Sequence, residues 1–72
     1  MIAGIELTLN GEPRRLPAGA TLAVAVRETG ADADERGIAA ALDGEVVPRS
    51  QWNDQALRDG HRVEVVRAVQ GG

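Results

Sequence analysis

Apolar and polar positions alternate at the start of the chain, with Ala3, Ile5, Leu7 and Leu9 set between Gly4, Glu6, Thr8 and Asn10. A period of two puts each set on its own face, so this stretch predicts a half-buried β-strand. Asn10-Gly11 follows, the pair preferred by a type I′ hairpin because both central residues take positive φ. The return strand spans Glu12 to Leu16. Pro13 has no N–H for the ladder, which assigns that strand to a sheet edge or to imperfect pairing.

The pattern then changes. Pro17-Ala18-Gly19-Ala20 breaks the alternation, and Thr21 is the expected N-cap of a helix. Leu22, Ala25, Val26 and Thr29 share one helical face, while Arg27 and Glu28 point away from it. Gly30 stands where a left-handed C-cap residue is wanted. A helix confined between Thr21 and Gly30 cannot persist alone in water, so it must pack on the sheet. Ala31 to Gly37 is charged and turn-rich and reads as a surface loop. Its acidic residues lack the ligand spacing and central glycine of a calcium loop.

Alternation resumes at Ile38, Ala40 and Leu42, and Asp43-Gly44 is a second hairpin signal. Glu45-Val46-Val47 returns as a short strand ended by Pro48. Arg49 to Leu57 is irregular and holds Trp52, which reads as a core plug because burying its large apolar area contributes substantially. Asp59-Gly60 makes a third turn, and a final strand runs from His61 towards Val69. Val63 and Val65 fall on one face of it, Val66 and Ala68 on the other. That second face has two readings: an apolar row open to a partner, or contact with the loop around Trp52. The element order describes a sheet with one helix across a face, an α+β arrangement.

Composition narrows the chemistry. Seventy-two residues make one small domain with a modest core. There is no cysteine, hence no disulfide framework, thiolate metal site or thiol nucleophile. His61, the only histidine, cannot build a histidine metal cluster and reads as a surface residue at a strand start. No acid–base pair or phosphate loop is evident. A net charge of −3 argues against nucleic-acid binding, which needs a basic face. No apolar run reaches membrane-spanning length and no leader pattern opens the chain, so a cytoplasmic location is expected. All eight basic residues are arginine, so the chain offers no lysine on which copies of itself could be linked.

The chain closes on Ala68-Val69-Gln70-Gly71-Gly72. Two glycines leave the terminal carboxylate without a neighbouring side chain, and glycine can extend, bend to positive φ or thread a narrow channel. The dipeptide alone is also compatible with a frayed terminus.

Taken together, several stretches resemble the ThiS-type sulfur carriers of thiamine biosynthesis, members of the β-grasp, or ubiquitin-like, superfamily. They are the Asn10-Gly11 hairpin, Ala18-Gly19-Ala20-Thr21, Val47-Pro48-Arg49-Ser50-Gln51-Trp52, Asp59-Gly60 and the terminal diglycine. Val-Pro-Arg with a tryptophan three residues on is the most specific of these, and the resemblance spans almost the whole chain.

The resemblance implies a mixed sheet of four to five strands with one helix, a domain over 1–69 and a tail over 70–72. It implies that an E1-like adenylating enzyme uses ATP and Mg²⁺ to activate the Gly72 carboxylate. A sulfurtransferase route then supplies persulfide sulfur, and the resulting thiocarboxylate donates to thiazole synthase. Gly72 would carry the cargo and Gly71 would give clearance. Val66, Arg67 and Ala68 would dock on the activating enzyme, with Arg67 and Arg49 facing acidic partner residues. The chain itself would have no catalytic residue, bound cofactor or metal. The same features also fit a molybdopterin synthase small subunit, a carrier for tRNA thiolation or amino-acid biosynthesis, a protein modifier, or a plain β-grasp interaction module.

Overall fold

Strand β1 (Gly4–Leu9) turns back at Asn10-Gly11 into β2 (Glu12–Pro17). The computed structural model describes residues 4–31 and 36–67; Ala3, the acidic residues Asp32, Asp34 and Glu35, and Ala68 to Gly72 lie outside them. Asn10 and Gly11 take φ of 53° and 82°, the geometry that a type I′ turn demands. Leu9 therefore pairs with Glu12, and the ladder runs back to Gly4 opposite Pro17. Leu7, Leu9 and Leu16 are buried. Pro13 sits on an edge strand, as its missing N–H requires.

The helix α1 (Leu22–Glu28) buries Leu22, Ala23, Ala25 and Val26 and leaves Arg27 and Glu28 exposed. Thr21 occupies the N-cap with extended φ and ψ, but its side chain makes no capping hydrogen bond. Distant backbone does that work instead. Leu22 N–H donates to the Gln55 carbonyl at 2.9 Å and Ala23 N–H to the Trp52 carbonyl at 3.1 Å, satisfying donors that a helix start leaves open. At the other end Gly30, at φ 87°, donates to the Arg27 carbonyl at 2.9 Å and closes the helix as a left-handed cap.

Strands β3 (Ile38–Leu42) and β4 (Glu45–Val47) form the second hairpin through Asp43-Gly44, and a single 3-10 turn (Arg49–Gln51) follows Pro48. Strand β5 (Arg62–Arg67) completes a five-stranded sheet of order β2-β1-β5-β3-β4. It lies parallel to β1 and antiparallel to β3. The sheet is thus mixed, with the helix across one face.

Trp52 is 2% exposed and plugs the core beside Leu22, Val26, Leu57 and Val63. Its indole N–H donates to the Val47 carbonyl at 2.9 Å, and the Arg49 guanidinium sits 5.1 Å from the ring centroid. Val47 and Arg49 therefore aim the tryptophan, and its backbone holds the helix start. His61 departs from the surface reading. It is half-buried, because its Nδ1 accepts the Arg58 N–H at 2.9 Å and ties down the turn before β5. Among the described residues, no helix is long and apolar enough to cross a membrane.

Candidate functional site

The stretch leading to the diglycine is β5, the central strand of the sheet. Its alternation follows the sequence reading: Val63 is fully buried and Val65 partly so, both towards the helix, whereas Glu64 and Val66 are exposed. Val66 is 60% exposed, which resolves the two readings of that face in favour of solvent.

The register shows what surrounds Val66. Its partner across the ladder is Ala39, while Ala41 lies opposite Glu64 on β5 and opposite Val46 on β4. Directly paired residues share a face, so Val66, Ala39, Ala41 and Val46 form one apolar stretch on the side away from the helix. Val46 is 74% exposed. Two valines flank a row of alanines too small to fill the space between them, leaving a shallow depression of about 250 Å³. Glu64 lines it as well, and Arg62, paired with Thr8, extends the charged side of the same face. Such a surface offers apolar contact with a polar rim, the anatomy of a protein-docking patch.

Of the docking residues expected from sequence, Val66 belongs to this patch. Arg67, next to it in an extended strand, falls on the opposite side with Val65, around a depression shared with Asn10, Thr29 and Ile38. The two neighbours therefore do not form one surface. Ala68, Gly71 and Gly72 lie outside the described residues. Arg49 is engaged with Trp52. Val46 was not singled out by sequence reasoning, because a three-residue strand is too short for its alternation to be read.

Strand β5 is held at several points. Thr8 N–H donates to the His61 carbonyl at 3.0 Å. Asp43 N–H donates to the Arg62 carbonyl and Arg62 N–H to Asp43 Oδ1, each at 2.8 Å. Asn10 N–H donates to the Val63 carbonyl and Val65 N–H to Asn10 Oδ1, again each at 2.8 Å. The preceding turn is fixed by Glu6, whose N–H donates to Asp59 Oδ1 at 2.7 Å and whose carbonyl accepts Gly60 N–H at 2.8 Å. No group of three or more His, Cys, Asp or Glu side chains able to hold a metal occurs among the described residues.

The model of the ThiS family matches residues 7–72. The sulfur carrier protein ThiS of Thermus thermophilus is 44% identical over 64 residues, covering 89% of this chain and 95% of that protein. A thiazole synthase of Paramagnetospirillum magneticum is 34% identical over 68 residues, covering 94% of this chain; the chain spans only 20% of that relative's length. Among solved structures, the thiamine biosynthesis protein ThiS of Geobacter metallireducens superposes with a TM-score of 0.74 at 24% identity, covering 94% of this chain and 100% of its own. At that identity the likeness shows the shared fold.

Proposed function

The chain belongs to the ThiS family, and from that premise we propose that it is a sulfur carrier of thiamine biosynthesis working through its Gly72 carboxyl group. The observation that carries this reading is the family match, which runs from the first strand through Gly71-Gly72. The chain acts as substrate rather than catalyst. In the cytoplasm an E1-like enzyme, using ATP and Mg²⁺, joins the Gly72 carboxylate to the α-phosphate and releases pyrophosphate. A carboxylate is a poor electrophile because its charge is delocalised; the acyl adenylate carries a good leaving group.

The terminal sulfur of a persulfide supplied by a sulfurtransferase then attacks the acyl carbon and AMP departs. A thiol cleaves the S–S bond of the resulting acyl disulfide, leaving the thiocarboxylate and a new disulfide. That thiocarboxylate is a softer nucleophile than the acid and passes sulfur to thiazole synthase. A ThiS-like stretch inside a much longer chain named thiazole synthase supports that pairing, since proteins that act together can be joined covalently.

In this scheme residues 1–69 form the presenting domain and residues 70–72 the tail. Gly71 gives clearance, and the Val66 face docks on the activating enzyme with Ala68, while Arg67, on the other side of β5, takes no part in that contact. The test is intact mass spectrometry after incubation with the cognate activating enzyme, a sulfurtransferase, ATP and a sulfur donor. One oxygen replaced by one sulfur at Gly72 is expected, and deletion of Gly72 should abolish the change while the fold survives. An unmodified Gly72 in a competent system overturns the reading.

A further inference from the structure

Asn10 and Asp43 are the two non-glycine residues at positive φ among the described residues. Each opens a hairpin, and a turn of that type accepts glycine at the same place without strain. Both side chains nevertheless reach across to β5, a role that the turns themselves do not require. Asp43 grips the beginning of the strand, taking the Arg62 N–H. Asn10 grips its second half, taking the Val65 N–H.

The second contact occurs where the backbone ladder fails. The β1–β5 pairing stops at Leu9 opposite Val63, because the first hairpin turns the chain away at Asn10-Gly11. The Asn10 amide oxygen, 2.8 Å from Val65 N, stands in for the backbone carbonyl that a continuing parallel strand would have supplied. Among the described residues, β3, paired as far as Ile38 opposite Arg67, is the other strand that pairs with this half of β5.

We infer that Asn10 is a positioning residue for the carrier's tail. Its side-chain oxygen keeps β5 in the sheet up to the point where the chain continues to Gly72. The consequence for transfer rests on the sulfur-carrier reading. A partner that docks on the Val66 face and takes up Gly72 meets the strand leading to it in a fixed direction only while this end of β5 is held. Loss of the Asn10 oxygen makes binding restore that order, which weakens the encounter without altering the chemistry at the carboxyl carbon.

Two variants at one position separate the clamp from the turn. N10G keeps positive φ and removes the acceptor; N10D keeps an acceptor and tolerates the left-handed region. ATP–pyrophosphate exchange by the cognate activating enzyme, with the carrier as varied substrate, reads the function. Amide hydrogen exchange at Val65 reads the clamp in the free protein. N10G should raise KM for the carrier by about two- to twelvefold, the factor that one net hydrogen bond carries. Its kcat should be unchanged once the folded fraction is matched. Val65 exchange should speed up at least as much, and N10D should restore both.

D43G, which releases only the start of β5, should leave KM unchanged. Faster Val65 exchange in N10G with no change in KM overturns the positioning role. So does a fall in kcat alone that follows the loss of folded protein. A wild-type carrier that is never adenylated removes the sulfur-carrier reading and the positioning role together. An adenylated wild type beside an unaffected N10G removes the positioning role only.

Discussion

Replacing Trp52 by alanine tests how far one side chain holds this domain together. The indole is 2% exposed, so truncation loses nearly its whole transfer energy and leaves a cavity, about 3–5 kcal/mol for a buried tryptophan. The indole hydrogen bond to Val47 adds at most about 1 kcal/mol, because half-buried Val47 lets its carbonyl find water. The sum approaches the whole stability of a domain this size, about 4–11 kcal/mol at the usual value per residue. Backbone coupling makes the loss cooperative. The Trp52 and Gln55 carbonyls hold the first N–H groups of α1, and a seven-residue helix released from them cannot survive alone.

Urea unfolding followed by far-UV circular dichroism reads the effect without the tryptophan fluorophore. Trp52→Ala should be at the edge of unfolding in the absence of denaturant, with its helical signal lost together with the sheet. Trp52→Phe, which fills most of the site and lacks the N–H, should cost about 1–2 kcal/mol. A midpoint for Trp52→Ala within about 1 M of wild type, at the slope usual for small domains, would show that the segment after Pro48 is held by something other than this ring.

Two further outcomes are expected. Val66→Glu places a charge on an exposed site, so stability should change by less than about 1 kcal/mol; kcat/KM for adenylation should fall by about tenfold or more, and an unchanged value would remove the apolar face from the docking scheme. Gly30→Ala meets no atom within 4 Å but keeps φ near 87°, so thermal denaturation should show a loss of about 1–2 kcal/mol from left-handed backbone strain alone.

Local chemistry was readable in the sequence wherever it was self-contained. Asn10-Gly11 and Asp43-Gly44 declare their hairpins, Gly30 its helix end, and Trp52 its burial, because each follows from the nature of a few adjacent residues. Long-range backbone was not readable. Thr21 suits an N-cap, yet the open donors are met by carbonyls some thirty residues further on, which no local pattern encodes. The parallel join of β1 to β5 rests on two register pairs and a borrowed asparagine oxygen, so Asn10 reads as a turn residue and its second task stays hidden. The exposure of Val66 followed from alternation once β3 and β4 were seen to leave its face uncovered. The apolar stretch around it required the register that brings Ala39, Ala41 and Val46 alongside.

The central place of β5 also governs the order in which the molecule can be made. The two hairpins are local and can begin to form as soon as their residues emerge, but a two-stranded hairpin in water is marginal. Neither can join the other until residues 62–67 have been synthesised, since β5 alone lies between β1 and β3. Closing the sheet therefore waits for β5, through contacts of large sequence separation that form slowly. Nascent chains that stop short of β5 are left as two unsupported hairpins with an open apolar face. A chain that presents Val66 on an uncovered sheet face is one that has already been translated through β5.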